Sequence, residues 1–305
     1  MGRHAAKHAA ENGHYVIGIG RGNWETDEWR AWGVSDWHPA DITVDNLRAC
    51  AKRPDAILHF AGSASVPLSL SSPLQDFERT VLTTAQVLEY LRIHSPNTRL
   101  VYSSSASVYG AAERVPIPEQ TSRAPVSPYG VHKGIAEQLI ESYAHQYKLS
   151  ASIVRFFSVH GRGLRKQLLW DACRKLTADD TVFMGTGDEI RDWLHVEDAA
   201  NLMLLATRHA NPLCPVVNGG SGTGVTVREI ITHLSNALPF ASEKPQFSGQ
   251  ERIGDPKAFV ADISRAMAWG WRPKKSWQEG VADYANWWSG ANNPPEALFS
   301  QSLSA

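Results

Sequence analysis

The segment SPYGVHK, residues 127–133, sets Tyr129 four residues before Lys133. On a helix that spacing puts both side chains on one face. A nearby ammonium favours phenolate over phenol, so it lowers a tyrosine's pKa. Tyr129 is therefore a candidate proton donor or acceptor near neutral pH. A surface tyrosine beside a lysine is the plainer reading, and this spacing alone does not choose between them. A second group adds weight. The run SSSASVYG, residues 103–110, follows the apolar stretch RLVY and carries hydroxyls at Ser103, Ser104, Ser105 and Ser107. In open α/β sheets, ligands gather at the carboxyl ends of strands. A serine cluster there can hydrogen-bond a substrate oxygen; a serine-rich turn is the alternative. HFAG, residues 59–62, ends the preceding strand in the same way.

Those residues need strands and helices to hold them. Near-continuous apolar runs of strand length occur at 15–20, 56–62, 99–105, 151–159 and 215–220. Continuity rather than alternation marks strands covered on both faces. Amphipathic stretches at 74–94 and 127–147 lie between them. Such alternation implies right-handed crossovers and a parallel, doubly wound sheet. Beyond about residue 159 the rhythm loosens, with helices expected at 161–176, 225–239 and 276–288. The reading is a Rossmann-like doubly wound domain over 1–158 and a smaller C-terminal α+β lobe over 159–305. The strand near 215–218 returns to the first domain, so the two are interleaved.

Composition narrows the partners. The 305 residues carry a net charge of −1, with basic residues spread out, so no nucleic acid is expected as partner. No run is long enough to span a bilayer and no signal-peptide core is present, so neither a membrane nor secretion is implied. Three widely spaced cysteines, Cys50, Cys173 and Cys214, form neither a disulfide framework nor a zinc site. These features point to the cytoplasm, with no metal.

From residue 2 to about 288 the chain resembles the extended short-chain dehydrogenase/reductases, in their nucleotide-sugar epimerase/dehydratase group. The resemblance rests on motifs in order: GHYVIGIGR (13–21), HFAG, SSSASVYG, SPYGVHK, RFFSVHG (155–161), GTGDEIRDWLHVEDAA (185–200), NGGSG (218–222) and RIGDP (252–256). It implies that Tyr129 is the acid–base group at a sugar hydroxyl. It also implies that Ser105 hydrogen-bonds the reacting oxygen and that Lys133 holds the nicotinamide ribose. Gly2, Phe60, Ala61 and Gly62 would line the dinucleotide, with Asp41 and Ile42 on its adenine side. Ser107 and Ser158 would face the sugar, Arg191 the diphosphate, and Arg252 and Asp255 the nucleotide. A surface ion pair is the alternative for the last two. Arg162, Arg165 and Lys166 are open between phosphate binding and a solvated helix start.

Dehydratases of the group follow the catalytic hydroxyl with an aspartate and a glutamate. Here Ala106 and Ser107 stand there, so elimination is disfavoured. What remains is a nucleotide-sugar epimerase, a reductase of a nucleotide keto-sugar using NADPH, or a catalytically silent nucleotide-binding protein. The cofactor is NAD or NADP. Where the family places an acid for the ribose 2′-hydroxyl this chain has Gly20, then Arg21, which favours NADP; a loop arginine stacking on adenine is the alternative. A homodimer through the helices at 74–94 and 127–147 is common in the resembling family. Gly2 matches the last glycine of the phosphate-binding loop. The expectation is that the first strand and most of that loop are missing from the chain, which would leave two neighbouring strands with unpaired edges.

Overall fold

The computed structural model describes residues 1–22, 24, 27–51, 53–63, 65–239, 244–250 and 257–291. Its strands are β1 (Ile17–Gly20), β2 (Asp36–Pro39), β3 (Ala56–His59), β4 (Arg99–Ser105), β5 (Ala151–Phe156), β6 (Ser158–His160), β7 (Val182–Phe183), β8 (Ile190–His195), β9 (Val216–Gly219), β10 (Gly224–Thr226), β11 (Gln246–Phe247) and β12 (Ala258–Phe259). Its helices are α1 (Gly2–Glu11), α2 (Glu28–Ala31), α3 (Val44–Cys50), α4 (Val66–Ser71), α5 (Pro73–Phe77), α6 (Thr83–His94), α7 (Pro128–Tyr147), α8 (Gln167–Thr177), α9 (Val196–Ala206), α10 (Val227–Ala237), α11 (Ser264–Ala268) and α12 (Trp277–Ala291).

The main sheet is parallel, in the order β3-β4-β5-β9. Its core follows from the two-residue period of a strand. Leu100 and Tyr102 of β4 and Ile153 of β5 pack with Leu88 and Leu91 of α6 and Ile140 of α7. The residues between them, Val101 and Val154, face the other way, onto Leu202 and Met203 of α9. Both faces are therefore covered, as a doubly wound sheet requires, and α1 packs against α9. β1 and β2 form a separate parallel pair. Among the described residues β1 pairs only with β2, and β3 only with β4, so each presents an open edge.

The smaller lobe is built around a sheet in which β8 pairs with β10, β12 and β6. Its apolar centre joins Leu169 and Cys173 of α8, Ile230 and Leu234 of α10, and Tyr284 and Trp288 of α12. Among the described residues no helix is long and apolar enough to cross a membrane, and no three potential metal ligands cluster.

The expected helix at 74–94 is present without a break and carries a π-helical turn within it. α5 leads into a π-helical turn, Glu78–Leu82, before α6 begins. The expected strand at 151–159 is split at Phe157, because β5 stays in the main sheet while β6 joins β8.

Burial of imidazoles makes stability pH-dependent. His59 is pushed down to about 3 and His4 to about 4, chiefly by desolvation. Both stay neutral in the fold while the unfolded chain takes up protons below the ordinary 6.5. Their contribution is present above that pH and is lost as pH falls toward the folded values. The melting temperature is expected to drop as pH is lowered from about 6.5 to 4. His59→Gln, which can still bond Thr84, should flatten the drop; an unchanged slope in calorimetry would refute this.

Candidate active site

Local backbone chemistry brings Tyr129 to the serine run. β4 ends at Ser105, whose Oγ accepts the backbone N–H of Ser107 at 3.2 Å and opens a tight turn, Ala106–Tyr109. α7 starts at Pro128, whose fixed φ suits the first helical position. Ser127 caps it by accepting the Gly130 N–H at 3.2 Å. A Cβ on Gly130 would lie 2.7 Å from the Ser107 carbonyl oxygen, so glycine alone lets the first turn of α7 close on the serine turn. The Ser105 hydroxyl is then set toward the Tyr129 phenol, where it favours the phenolate. The Tyr129 N–H also donates to Ser69 Oγ of α4 at 3.1 Å. One helical turn on, buried Lys133 donates from Nζ to the Ser103 carbonyl at 2.8 Å, and lies 4.7 Å from the Tyr102 ring centroid.

The electrostatics differ from the expectation drawn from spacing. The Tyr129 phenol is raised, not lowered. Burial is the largest cause, the Ser105 hydroxyl opposes it, and the Asp76 carboxylate adds to it. The Lys133 amine is pulled down to about 8 by burial, against Glu137 and Asp76, which raise it. Its ammonium is directed at the Ser103 carbonyl, so burial outweighs the attraction that the spacing suggested.

The space beside this cluster suits the nicotinamide end of a dinucleotide. β3 runs into Phe60, Ala61 and Gly62. Gly62 has φ +150°, and a Cβ there would stand 3.6 Å from Lys133 Nζ and 3.5 Å from Thr80 Oγ1. Those are ordinary contact distances, so it is the positive φ that calls for glycine beside Lys133. Ser63 Oγ and Ser107 Oγ are buried without hydrogen-bond partners. Such orphans are ready to meet polar groups of a ligand. Gly2 opens α1 beneath Phe60, its would-be Cβ 3.7 Å from that ring, and the helix has no side-chain N-cap. Free helix-start amides favour an anion such as pyrophosphate.

Arg21 and Asp41 are brought together as an exposed ion pair, which raises the arginine and lowers the carboxyl. Ile42 is partly buried against the core under α6. Ser158 begins β6 opposite Trp193 of β8. Arg191 sits in β8 between Val225 of β10 and Phe259 of β12, and its Nη1 donates to the Ile190 carbonyl at 2.8 Å. Ser158 and Arg191 thus belong to the smaller lobe's sheet, whereas Ser105, Tyr129, Lys133 and Gly62 form the cluster above. Arg252 and Asp255 lie outside the described residues. Sequence reasoning missed Asp192. Its buried carboxylate accepts from Ser221 Oγ at 2.7 Å, Gly222 N at 2.9 Å and Ala261 N at 3.1 Å. It ties the NGGSG loop and the segment after β12 to the strand bearing Arg191. An aspartate directly after a candidate phosphate ligand, in line with a glycine-serine loop, was the available signal.

Comparison with known proteins follows the same lines. Residues 1–218 match the NAD dependent epimerase/dehydratase family. A UDP-glucose 4-epimerase of Azospirillum brasilense is 32% identical over 257 residues, covering 77% of this chain and 73% of that protein. The UDP-glucose 4-epimerase of Thermus thermophilus, in complex with NAD, superposes with a TM-score of 0.83 at 26% identity, over 95% of this chain and 96% of that one. A UDP-glucose-4-epimerase from Stenotrophomonas maltophila, with bound NAD and formylated UDP-arabinopyranose, also gives 0.83 at 26% identity, over 95% of each chain.

Proposed function

The chain belongs to the NAD dependent epimerase/dehydratase family, and from that premise we propose that it is a nucleotide-sugar 4-epimerase. The observation that carries the reading is the Ser105–Tyr129–Lys133 cluster beside the glycine-opened end of β3. Gly2, Arg21, Asp41, Ile42, Phe60, Ala61, Gly62 and Lys133 would hold the dinucleotide. When bound, it supplies the hydride acceptor and donor for the sugar carbon.

The chain's own residues handle the proton and the orientation. Tyr129 takes the sugar hydroxyl proton as a phenolate, a form that burial opposes and Ser105 favours, and gives it back from the phenol in the return half of the reaction. Ser105 holds the sugar oxygen by a hydrogen bond. Lys133 positions the nicotinamide ribose and offsets charge that develops on Tyr129. Ser107 and Ser158 orient the sugar. Arg191, with Arg252 and Asp255, holds the nucleotide diphosphate, a task suited to the fork of a guanidinium. Epimerisation requires the transient keto sugar to turn over before the return step. The substrate side, over 159–305, therefore binds chiefly through the nucleotide and leaves the sugar free to rotate.

NAD is the better reading of the cofactor. The two solved structures described above hold NAD. Arg21 was the feature favouring NADP, and a 2′-phosphate would have to displace the Asp41 carboxylate from it. A homodimer through α6 and α7 belongs to the same reading. Leu82, Ile93 and Val131 are exposed apolar side chains on or beside those helices, and light scattering would give the mass.

The test is incubation with UDP-, GDP- and dTDP-sugars, with NAD and with NADPH, and NMR of the products. The expected result is inversion of a single sugar carbon with no net change in reduced-cofactor absorbance. Net loss of that absorbance with sugar would mark a reductase. Conversion of none of them would refute the proposal.

A further inference from the structure

Tyr102 has no role in the scheme above, yet it is a direct neighbour of Lys133. The lysine is buried, and its Nζ sits over the Tyr102 ring, 4.7 Å from the centroid. An ammonium has N–H donors and no acceptor. One of these donates to the Ser103 carbonyl at 2.8 Å. A charge taken out of water loses its hydration, so each remaining neighbour matters. The ring is held firmly. Tyr102 is fully buried on β4, among Leu88 and Leu91 of α6 and Ile140 of α7. The His59 imidazole lies against it, with centroids 5.4 Å apart. His59 is fixed in turn. Its Nε2 meets Thr84 Oγ1 at 3.0 Å, and the Thr84 hydroxyl donates onward to the Thr80 carbonyl at 2.7 Å. Thr84 therefore accepts from His59, which a neutral imidazole satisfies.

The geometry points to Tyr102 as a positioning residue that holds Lys133 in place, and holds it charged, through the face of its ring. That face is the negative side of an aromatic quadrupole and attracts a cation, more strongly where both are desolvated. The attraction acts on the ammonium and not on the neutral amine. It therefore works against burial, which pulls Lys133 down to about 8. The titratable groups around the amine are Asp76 on α5, His59 on β3, and Tyr129 and Glu137 on its own helix, besides Tyr102 itself. Asp76 and Glu137 also favour the ammonium, and His59 is kept neutral by burial and by Lys133. The ring thus adds to two carboxylates, and no second cation competes for it from β3. A tyrosine that served packing alone would fill the same space; what this role requires is the charge distribution of the ring.

This inference rests on Lys133 holding the nicotinamide ribose. The experiment follows the Lys133 side chain by carbon-13 NMR against pH on the full chain, with its signal identified by its loss in Lys133→Met. Tyr102→Phe keeps the ring face and should leave the titration near the parent position. Phenylalanines bearing one, two and three ring fluorines at the same position keep the shape and draw charge off the face. They should move the Lys133 titration down in even steps, by about one unit in all. Affinity for NAD should fall in the same order while the melting temperature stays level, which a packing role would not produce. Tyr102→Leu should lower the titration in one step and remove the upfield ring-current shift of the Lys133 ε-protons. The fluorinated series carries the test if the leucine variant does not fold. A titration that stays in place along the folded series, or parent ε-protons without a ring-current shift, would overturn the inference. Failure of the underlying reading looks different: Lys133→Met would bind NAD as tightly as the parent, while the Lys133 titration still followed the fluorine count.

Discussion

Tyr129→Phe is expected to lower turnover of the nucleotide sugar by about 10²–10⁴-fold, the usual contribution of a positioned acid–base group. Phenylalanine keeps the ring and its packing and removes only the hydroxyl. That hydroxyl is set toward Ser105, while the backbone N–H, bound to Ser69, is untouched. Dinucleotide affinity should therefore stay within about twofold, because the loss falls on an interaction made in the transition state. Ser105→Ala should cost less, since the phenol remains and one hydrogen bond is lost. Single-turnover kinetics of the variant, with NAD binding measured by tryptophan fluorescence, separate the two effects. Turnover within tenfold of the parent enzyme would remove Tyr129 from the chemistry.

Glu137→Ala should be the most destabilising of the changes considered, with a loss of about 3–5 kcal/mol. Glu137 lies one turn after Lys133 and is fully buried. Its Oε1 accepts from Ser104 Oγ at 2.6 Å and Arg155 Nε at 3.0 Å. Its Oε2 accepts from Arg155 Nη2 at 2.7 Å and Arg123 Nη1 at 3.0 Å. Burial works against the Arg155 cation, yet Glu137 more than offsets this and raises it above the ordinary arginine value. Without the carboxylate, Arg155 is left as a buried cation beside the Glu119 carbonyl and the Tyr109 ring. Glu137→Gln keeps part of the hydrogen bonding and should cost less. Urea unfolding measures both. A loss below about 1 kcal/mol for the alanine variant would show that Arg155 finds other partners. The network also ties Ser104 to α7, so a folded Glu137 variant should lose activity as well, through misplacement of Ser105 relative to Tyr129.

Much of the site was legible in the sequence because it depends on short periods. A step of four residues from Tyr129 to Lys133 means one helix face. A serine run after an apolar strand means a strand end. β4 was read over the same residues, 99–105, that the structure gives it. Less local features were not legible. The π-helical turn at 78–82 brings Thr80 Oγ1 to the Ser63 N–H at 3.2 Å, which no propensity reveals. The split at Phe157 arises because two sheets compete for one chain segment. Arg21 read as a phosphate ligand, since its partner Asp41 lies 20 residues away.

By itself the sequence determined the alternation of strands and helices, the doubly wound class and the shared helix face of Tyr129 and Lys133. Those follow from apolar periodicity and from caps such as Ser127–Pro128, which act over a few residues. Only the tertiary structure decided the charges. Asp76 reaches His132 across 56 residues, and Glu137 reaches Ser104 across 33. Burial, which no spacing encodes, lifted the Tyr129 phenol although a lysine stands on the same helix face. A proton affinity depends on everything packed around a group, and the folded chain alone assembles those neighbours.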